Sequence, residues 1–296
     1  VHTHDGPTRQ LIWALLLTGA IFVLQLVGAL MSQSLSLLSN AGHLFTDLGS
    51  IGLALYAAKV GQHRPTQELS YGYSRSGIVA AFVNGLILAA IAIALMISSI
   101  YRFIRPAPVN ASVMLVVTII TLGLNLATSW VLHPPQKSRD INRWGVYWHA
   151  LGDAFSSLGI LLAALLIDET GWNGWDPVAA LAVGLFILWA SWKTARPSLR
   201  ILMEATPEGT RLDEIRQTFL SHPDVNDVHH LHVWSISPEL HALSAHIRLG
   251  TTSIRDGQRV IEQLNHDLAA HHDIHHVTLQ IEAEQHDDPD DGIPTN

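Results

Sequence analysis

Two segments of the chain repeat one arrangement of metal-binding groups. His43-Leu-Phe-Thr-Asp47 and His149-Ala-Leu-Gly-Asp153 each set a carboxylate four residues after an imidazole. On a helix, positions i and i+4 lie on one face, so each segment presents both groups in the same direction. If the two faces meet, two nitrogens and two oxygens converge as a tetrahedral set suited to a borderline divalent cation, above all Zn2+. With neutral imidazoles the two carboxylates carry two negative charges, which a divalent ion cancels.

The elements that must carry these pairs are apolar. Charged residues make up 14% of the 296-residue chain, against roughly 25% in soluble globular proteins. Six stretches have about the length of a bilayer span: 11–31, 35–59, 77–103, 111–133, 144–168 and 173–194. The second and fifth hold the His/Asp pairs, have weaker hydropathy than the third, and read as interior helices. Ionisable groups inside a span are costly and mark function by default. Glycines near the pairs (Gly42, Gly49, Gly145, Gly152, Gly159) are expected to let helices approach closely.

Basic residues set the orientation. With the N-terminus in the cytoplasm, the inner segments hold Arg9, Lys59, Arg64, Arg75, Lys137, Arg139, Arg143, Lys193, Arg196 and Arg200, and the outer loops only Arg102 and Arg105. An even number of spans then places both termini inside. The first span lacks the charged leader and cleavage pattern of a signal peptide. A net charge of -8 with only 17 Lys and Arg argues against a nucleic-acid partner. Without cysteine there is no disulfide framework, thiolate zinc site or cysteine nucleophile. No HExxH segment occurs, which argues against an intramembrane metalloprotease.

After residue 200 the pattern becomes that of a soluble α+β domain. Thr210–Ser221 and Ile254–His271 have helical spacing, and 225–235, 240–249 and 275–281 read as strands, giving an αββαβ order. About 80 residues bury only a modest core, so association through this domain is a natural supplement. The segments are therefore 1–10, a cytoplasmic N-terminal segment; 11–199, a six-helix transmembrane bundle; 200–284, a cytoplasmic domain; and 285–296, a disordered acidic tail.

Several stretches resemble the cation diffusion facilitator family, in its zinc-transporting branch: SLSLLSNAGHLFTD (34–47), RPTQELSYGYSR (64–75), FVNG (82–85), HALGDAFSSLG (149–159), VHHLHVWSIS (228–237), LSAHI (243–247) and HVTLQIE (276–282). The resemblance runs from about residue 11 to 283. It implies a homodimeric inner-membrane transporter, with a metallochaperone-like cytoplasmic domain, that exports Zn2+ in exchange for protons. His43, Asp47, His149 and Asp153 match the family's transport site, and His43, where another branch has Asp, favours zinc over Cd2+. His229, His246 and Glu282 match the zinc ligands of the soluble domain. His246 and Glu282 fall on the polar faces of their strands, whereas strict alternation puts His229 with Leu231 and Val233 on the covered face. Many relatives carry an acid where this chain has Gly77.

Imidazole titrates near neutrality, so Zn2+ and H+ compete for the same nitrogen. His43 and His149 are thus the expected coupling residues, with Asp47 and Asp153 anchoring charge. His63, with Glu68, is a further candidate in the loop after the second span. His2, His4, His286, Asp287 and Asp288 are candidates near the termini. The alternatives are a membrane-anchored metal sensor, and a transporter whose range extends to Co2+, Cd2+, Ni2+ or Fe2+.

Overall fold

The computed structural model describes residues 5–61, 63–132, 141–250 and 253–282, with the side chains of 5–14, 54, 58, 131–132, 141–146 and 148–150 outside the description. The acidic tail expected at 285–296 and the terminal candidates His2, His4, His286, Asp287 and Asp288 lie outside it too. Six long helices come first: α1 (Asp5–Ser32), α2 (Leu35–Gly61), α3 (Ser76–Ile104), α4 (Ala111–Leu132), α5 (Ile141–Thr170) and α6 (Trp175–Leu202). Then follow α7 (Leu212–Leu220), β1 (Val225–Ser237), β2 (Leu240–Leu249), α8 (Ile254–His272) and β3 (His276–Glu282). The chain divides into two compact units, Val1–Tyr56 with Ala80–Ala195, and Ala57–Val79 with Arg196–Asn296.

Among the described residues, five of the six long helices are long and apolar enough to cross a membrane: α1, α3, α4, α5 and α6. The sixth expected span, α2, matches them in length but not in composition. Its polar residues Ser36, Ser39, Asn40, His43 and Thr46 are all buried, while Leu38, Phe45, Ile51 and Leu55 are exposed. The helix therefore buries its polar side chains beside Leu37, Ala41 and Leu44 and turns large apolar ones outward, unlike a soluble amphipathic helix.

The bundle core is aliphatic, with Leu37 of α2, Ala92 of α3, Met114 of α4, Ile160 and Ala164 of α5, and Ile187 of α6 all 0% exposed. Close helix approach occurs away from the His/Asp pairs. A Cβ on Gly28 would lie 2.6 Å from the Val117 side chain, and one on Gly85 would lie 2.9 Å from Ala195. Gly49, Gly152 and Gly159 have nothing within 4 Å of that position, so these three do not serve the role expected of them; Gly42 stands against Ile91, and Gly145 lies outside the described side chains.

One carboxylate ties α2 to α6. Asp176, in the first turn of α6 and 0% exposed, accepts hydrogen bonds from Ser34 Oγ (2.6 Å), Ser36 Oγ (2.7 Å), the Leu35 N–H (2.7 Å) and the Ser36 N–H (3.1 Å). Ser34 Oγ in turn accepts from the Leu37 N–H. The first turn of α2, whose N–H groups have no partners within the helix, is thus capped twice over, with a negative charge at the positive end of the helix dipole. Arg102 stands 3.9 Å from the same carboxylate. The Asn110 N–H bonds the Ser32 carbonyl, and Asn173 Oδ1 accepts from the Val109 N–H, so all three connections at this end of the bundle are joined.

In the second unit, β1 pairs antiparallel with β2 and β2 parallel with β3, in the order β1-β2-β3. Ile215 and Phe219 of α7 and Val260, Leu264 and Leu268 of α8 cover one face of this sheet, meeting Val228, Val233, Leu243, Ala245 and Ile247. The expected αββαβ order is the observed one.

Asp176→Ala removes the acceptor of four buried hydrogen bonds and is expected to cost about 2–4 kcal/mol. Thermal unfolding of the purified protein in detergent should show a fall in Tm of several degrees. Asp168→Ala, at an exposed carboxylate of α5, serves as the neutral control.

Candidate metal centres

Among the described residues, two groups of His, Asp and Glu bring their ligand atoms close enough to hold one ion: His43, Asp47 and Asp153, and His229, His246 and Glu282. His63 is in neither; its Nδ1 meets the Val60 carbonyl and its ring stands edge-on to Tyr73.

In the first group, α2 supplies His43 and Asp47 and α5 supplies Asp153. His43 Nε2 lies 3.6 Å from Asp47 Oδ2 and 3.7 Å from Asp153 Oδ1. These separations exceed a hydrogen bond. They are close to the spacing of about 3.4 Å between donors that each stand about 2.1 Å from one ion at tetrahedral angles. His43 and Asp153 are each 7% exposed. The backbone around them is also engaged: Thr46 Oγ1 donates to the His43 carbonyl and Ser50 Oγ to the Asp47 carbonyl. Farther along α5, Ser157 Oγ accepts from Asn125 Nδ2 of α4 at 3.3 Å. His149 lies on α5 one turn before Asp153; its side chain is outside the described residues.

The second group sits on the sheet face that α7 and α8 leave open. His229 of β1 pairs directly with His246 of β2, and Glu282 closes β3 two residues beyond the partner of His246. The carboxylate of Glu282, 4% exposed, bridges the two imidazoles, with Oε2 3.0 Å from His229 Nε2 and Oε1 2.8 Å from His246 Nδ1. Asp227 Oδ2 stands 3.6 Å from the other nitrogen of His229, the position of a carboxylate that orients a ligating imidazole. Two nitrogens and a carboxylate form a donor set that fits Zn2+ or a similar cation.

His229 departs from the expected strand alternation. Val225, Val228, Leu231 and Val233 all pack into the core, although neither the first two nor the second and third are an even number of residues apart. The pairing with β2 breaks register between Val225 and Asp227 and again between His229 and His232, and His230 takes a φ of 48°. These are β-bulges, each absorbing one residue. The second keeps Leu231 and Val233 in the core while turning His229 to the open face, beside His246. The ring of His230 lies against both, with centroids 5.4 Å from His229 and 4.9 Å from His246.

Sequence reasoning passed over Asp176 and Gln25. Each had a signal: Asp176 immediately precedes a proline at a helix start, and Gln25 is the one polar side chain between Ile21 and Met31.

Comparison with known proteins agrees with this architecture. Residues 11–203 match the family described as the cation efflux transmembrane domain, and residues 207–284 match the cation efflux protein cytoplasmic domain. The chain is 32% identical over 287 residues to the zinc transporter ZitB of Escherichia coli (strain K12), covering 97% of this chain and 91% of that protein. It is 33% identical over 290 residues to a cadmium, cobalt and zinc/H(+)-K(+) antiporter of Bacillus subtilis (strain 168), covering 96% and 93%. It is 32% identical over 284 residues to the metal cation efflux system protein CzcD of Cupriavidus metallidurans, covering 95% and 89%. The solved metal-bound C-terminal domain of the CzcD transporter aligns at 32% identity over 25% of this chain and 99% of that one, with a TM-score of 0.23. Family match and near full-length identity together place this chain in the cation efflux, or cation diffusion facilitator, family of multi-pass membrane transporters, which move metal cations and are not enzymes.

Proposed function

We propose that the chain is a Zn2+/H+ antiporter that exports zinc from the cytoplasm by alternating access, with His43, Asp47, His149 and Asp153 as its transport site. The observation that carries the reading is the approach of Asp153 on α5 to His43 on α2 at 3.7 Å, between two helices that repeat one His/Asp spacing. A cation held across two helices is released when the helices part, which is what a transport site requires and a permanent site does not. Protonation of an imidazole competes with the metal, so an acidic outer face favours exchange of Zn2+ for H+.

His229, His246 and Glu282 would hold a resident Zn2+ in the cytoplasmic domain, through which two copies associate as a homodimer. The bundle takes up residues 11–199 and the cytoplasmic domain 200–284, in an inner membrane with both termini in the cytoplasm. The distribution of Lys and Arg supports that orientation. A wider range, including Co2+ and Cd2+, is the second reading, favoured by the name of the Bacillus subtilis relative. His63 stays a candidate for a peripheral loop site, outside the two groups above.

Reconstitution with a trapped pH dye and a panel of divalent ions tests the transport site. Asp47→Ala and Asp153→Ala should each lower apparent zinc affinity by more than the roughly 10–100-fold that outer-shell changes cost. A zinc response equal to wild type in either variant would sink the site. For the cytoplasmic site, elemental analysis of the full-length Glu282→Ala protein should show about one ion fewer per chain. Unchanged stoichiometry would remove Glu282 from the ligand set.

A further inference from the structure

Gln25 of α1 is 0% exposed, and its Oε1 accepts a hydrogen bond from Nδ2 of Asn40 on α2, 1% exposed, at 2.8 Å. That one bond uses part of what two amides offer. Among the described residues, Gln25 Nε2 and Asn40 Oδ1 have no hydrogen-bond partner, nor does Oγ of the fully buried Ser39. Turning both amides over leaves the same inventory, one NH2 and one carbonyl oxygen. A dry polar group costs about 1–3 kcal/mol, so the cluster selects for a small ligand that both donates and accepts. Water meets that description, since it both donates and accepts and is held when buried by two to four polar groups. The NH2 donor disfavours a bare cation, and the absence of positive charge disfavours an anion.

Placement gives the cluster its role. Asn40 is three residues before His43, on the same helix face and one turn nearer the end at which α2 starts. The cluster therefore lies between the His43 group and the bundle end fastened by Asp176.

We propose that Gln25, Ser39 and Asn40 hold water that hydrates the cation on its route between the His43 site and this end of the bundle. The inference rests on the transport reading of that site. The amides are positioning groups for the cation's hydration shell and not ligands. Their neutrality matters, because a third carboxylate one turn from His43 would deepen the cation's well, whereas conduction requires that it be able to leave.

The test uses full-length protein in proteoliposomes with zinc alone as the probe. Zinc affinity is measured separately in detergent, in a Glu282→Ala background so that the interior site is the one counted. Asn40→Leu and Gln25→Leu should each slow zinc flux by about tenfold while zinc affinity changes by less than about twofold, and Asn40→Ser should restore most of the rate. A wild-type rate in both leucine variants overturns the proposal, as does a parallel fall in rate and affinity, which would mean that the amides only support His43. Zinc flux indifferent to Asp47→Ala would instead bring down the underlying transport site, so the two failures are separable. Because the chain has no cysteine, Ser39→Cys provides a sole thiol. With a small water-soluble methanethiosulfonate it should react about tenfold faster than Leu37→Cys, whose parent side chain is equally buried but in the aliphatic core. Equal rates would also overturn the water-holding role.

Discussion

Two carboxylates and an imidazole in the interior of the helical bundle are the constraint to which the rest of the transmembrane unit answers. Such groups are tolerated only where protein partners or a cation compensate them. The buried polar side chains of α2 follow from this, as do the hydroxyls that bond back to the His43 and Asp47 carbonyls. The Asp176 clamp belongs to the same logic. By fixing the first turn of α2 against α6, it sets the height and rotation at which His43 and Asp47 face α5.

The two candidate metal centres differ in how their donors are carried. In the bundle, His43 stands 3.6 Å from Asp47 on its own helix and 3.7 Å from Asp153 on α5, with room for an ion between them. On the sheet, one carboxylate holds both imidazoles at 2.8 and 3.0 Å, and all three donors belong to hydrogen-bonded neighbouring strands. Helices can slide or tilt as bodies and so change the coordination of a shared ion, whereas adjacent strands keep their register. In the proposed cycle this separates a cargo site from a resident one.

Much of this was legible in the sequence because two periodicities carry it. The i, i+4 repeat gave the His/Asp pairs, and alternation gave β2 and β3 with His246 and Glu282 on the open face. What escaped depends on features without a period. The bulge at His230 rephases β1, so strict alternation assigned His229 to the wrong face. The Asp176 clamp spans about 140 residues of sequence and is made by a carboxylate that reads locally as an ordinary helix start. Gln25 and Asn40 meet only once α1 and α2 are side by side. Gly49, Gly152 and Gly159 failed as guides because helix approach is decided by the partner's side chain, Val117 for Gly28, and not by closeness to the His/Asp pairs.

The tight connection between α1 and α2 bears on biogenesis. Only Gln33 and Ser34 separate the two helices, and Gln33 adopts the left-handed conformation, with a φ of 54°. A helix as polar as α2 partitions poorly into lipid alone, since polar and charged residues near mid-span oppose translocon-mediated insertion. The turn that joins it to the apolar α1 is short enough for the two to insert together as a helical hairpin. The Gln25–Asn40 bond can form within that hairpin before any later span has left the ribosome. In such a hairpin the helix that carries His43 and Asp47 would already have its first interhelical contact, leaving the rest of its buried polar side chains to meet α5.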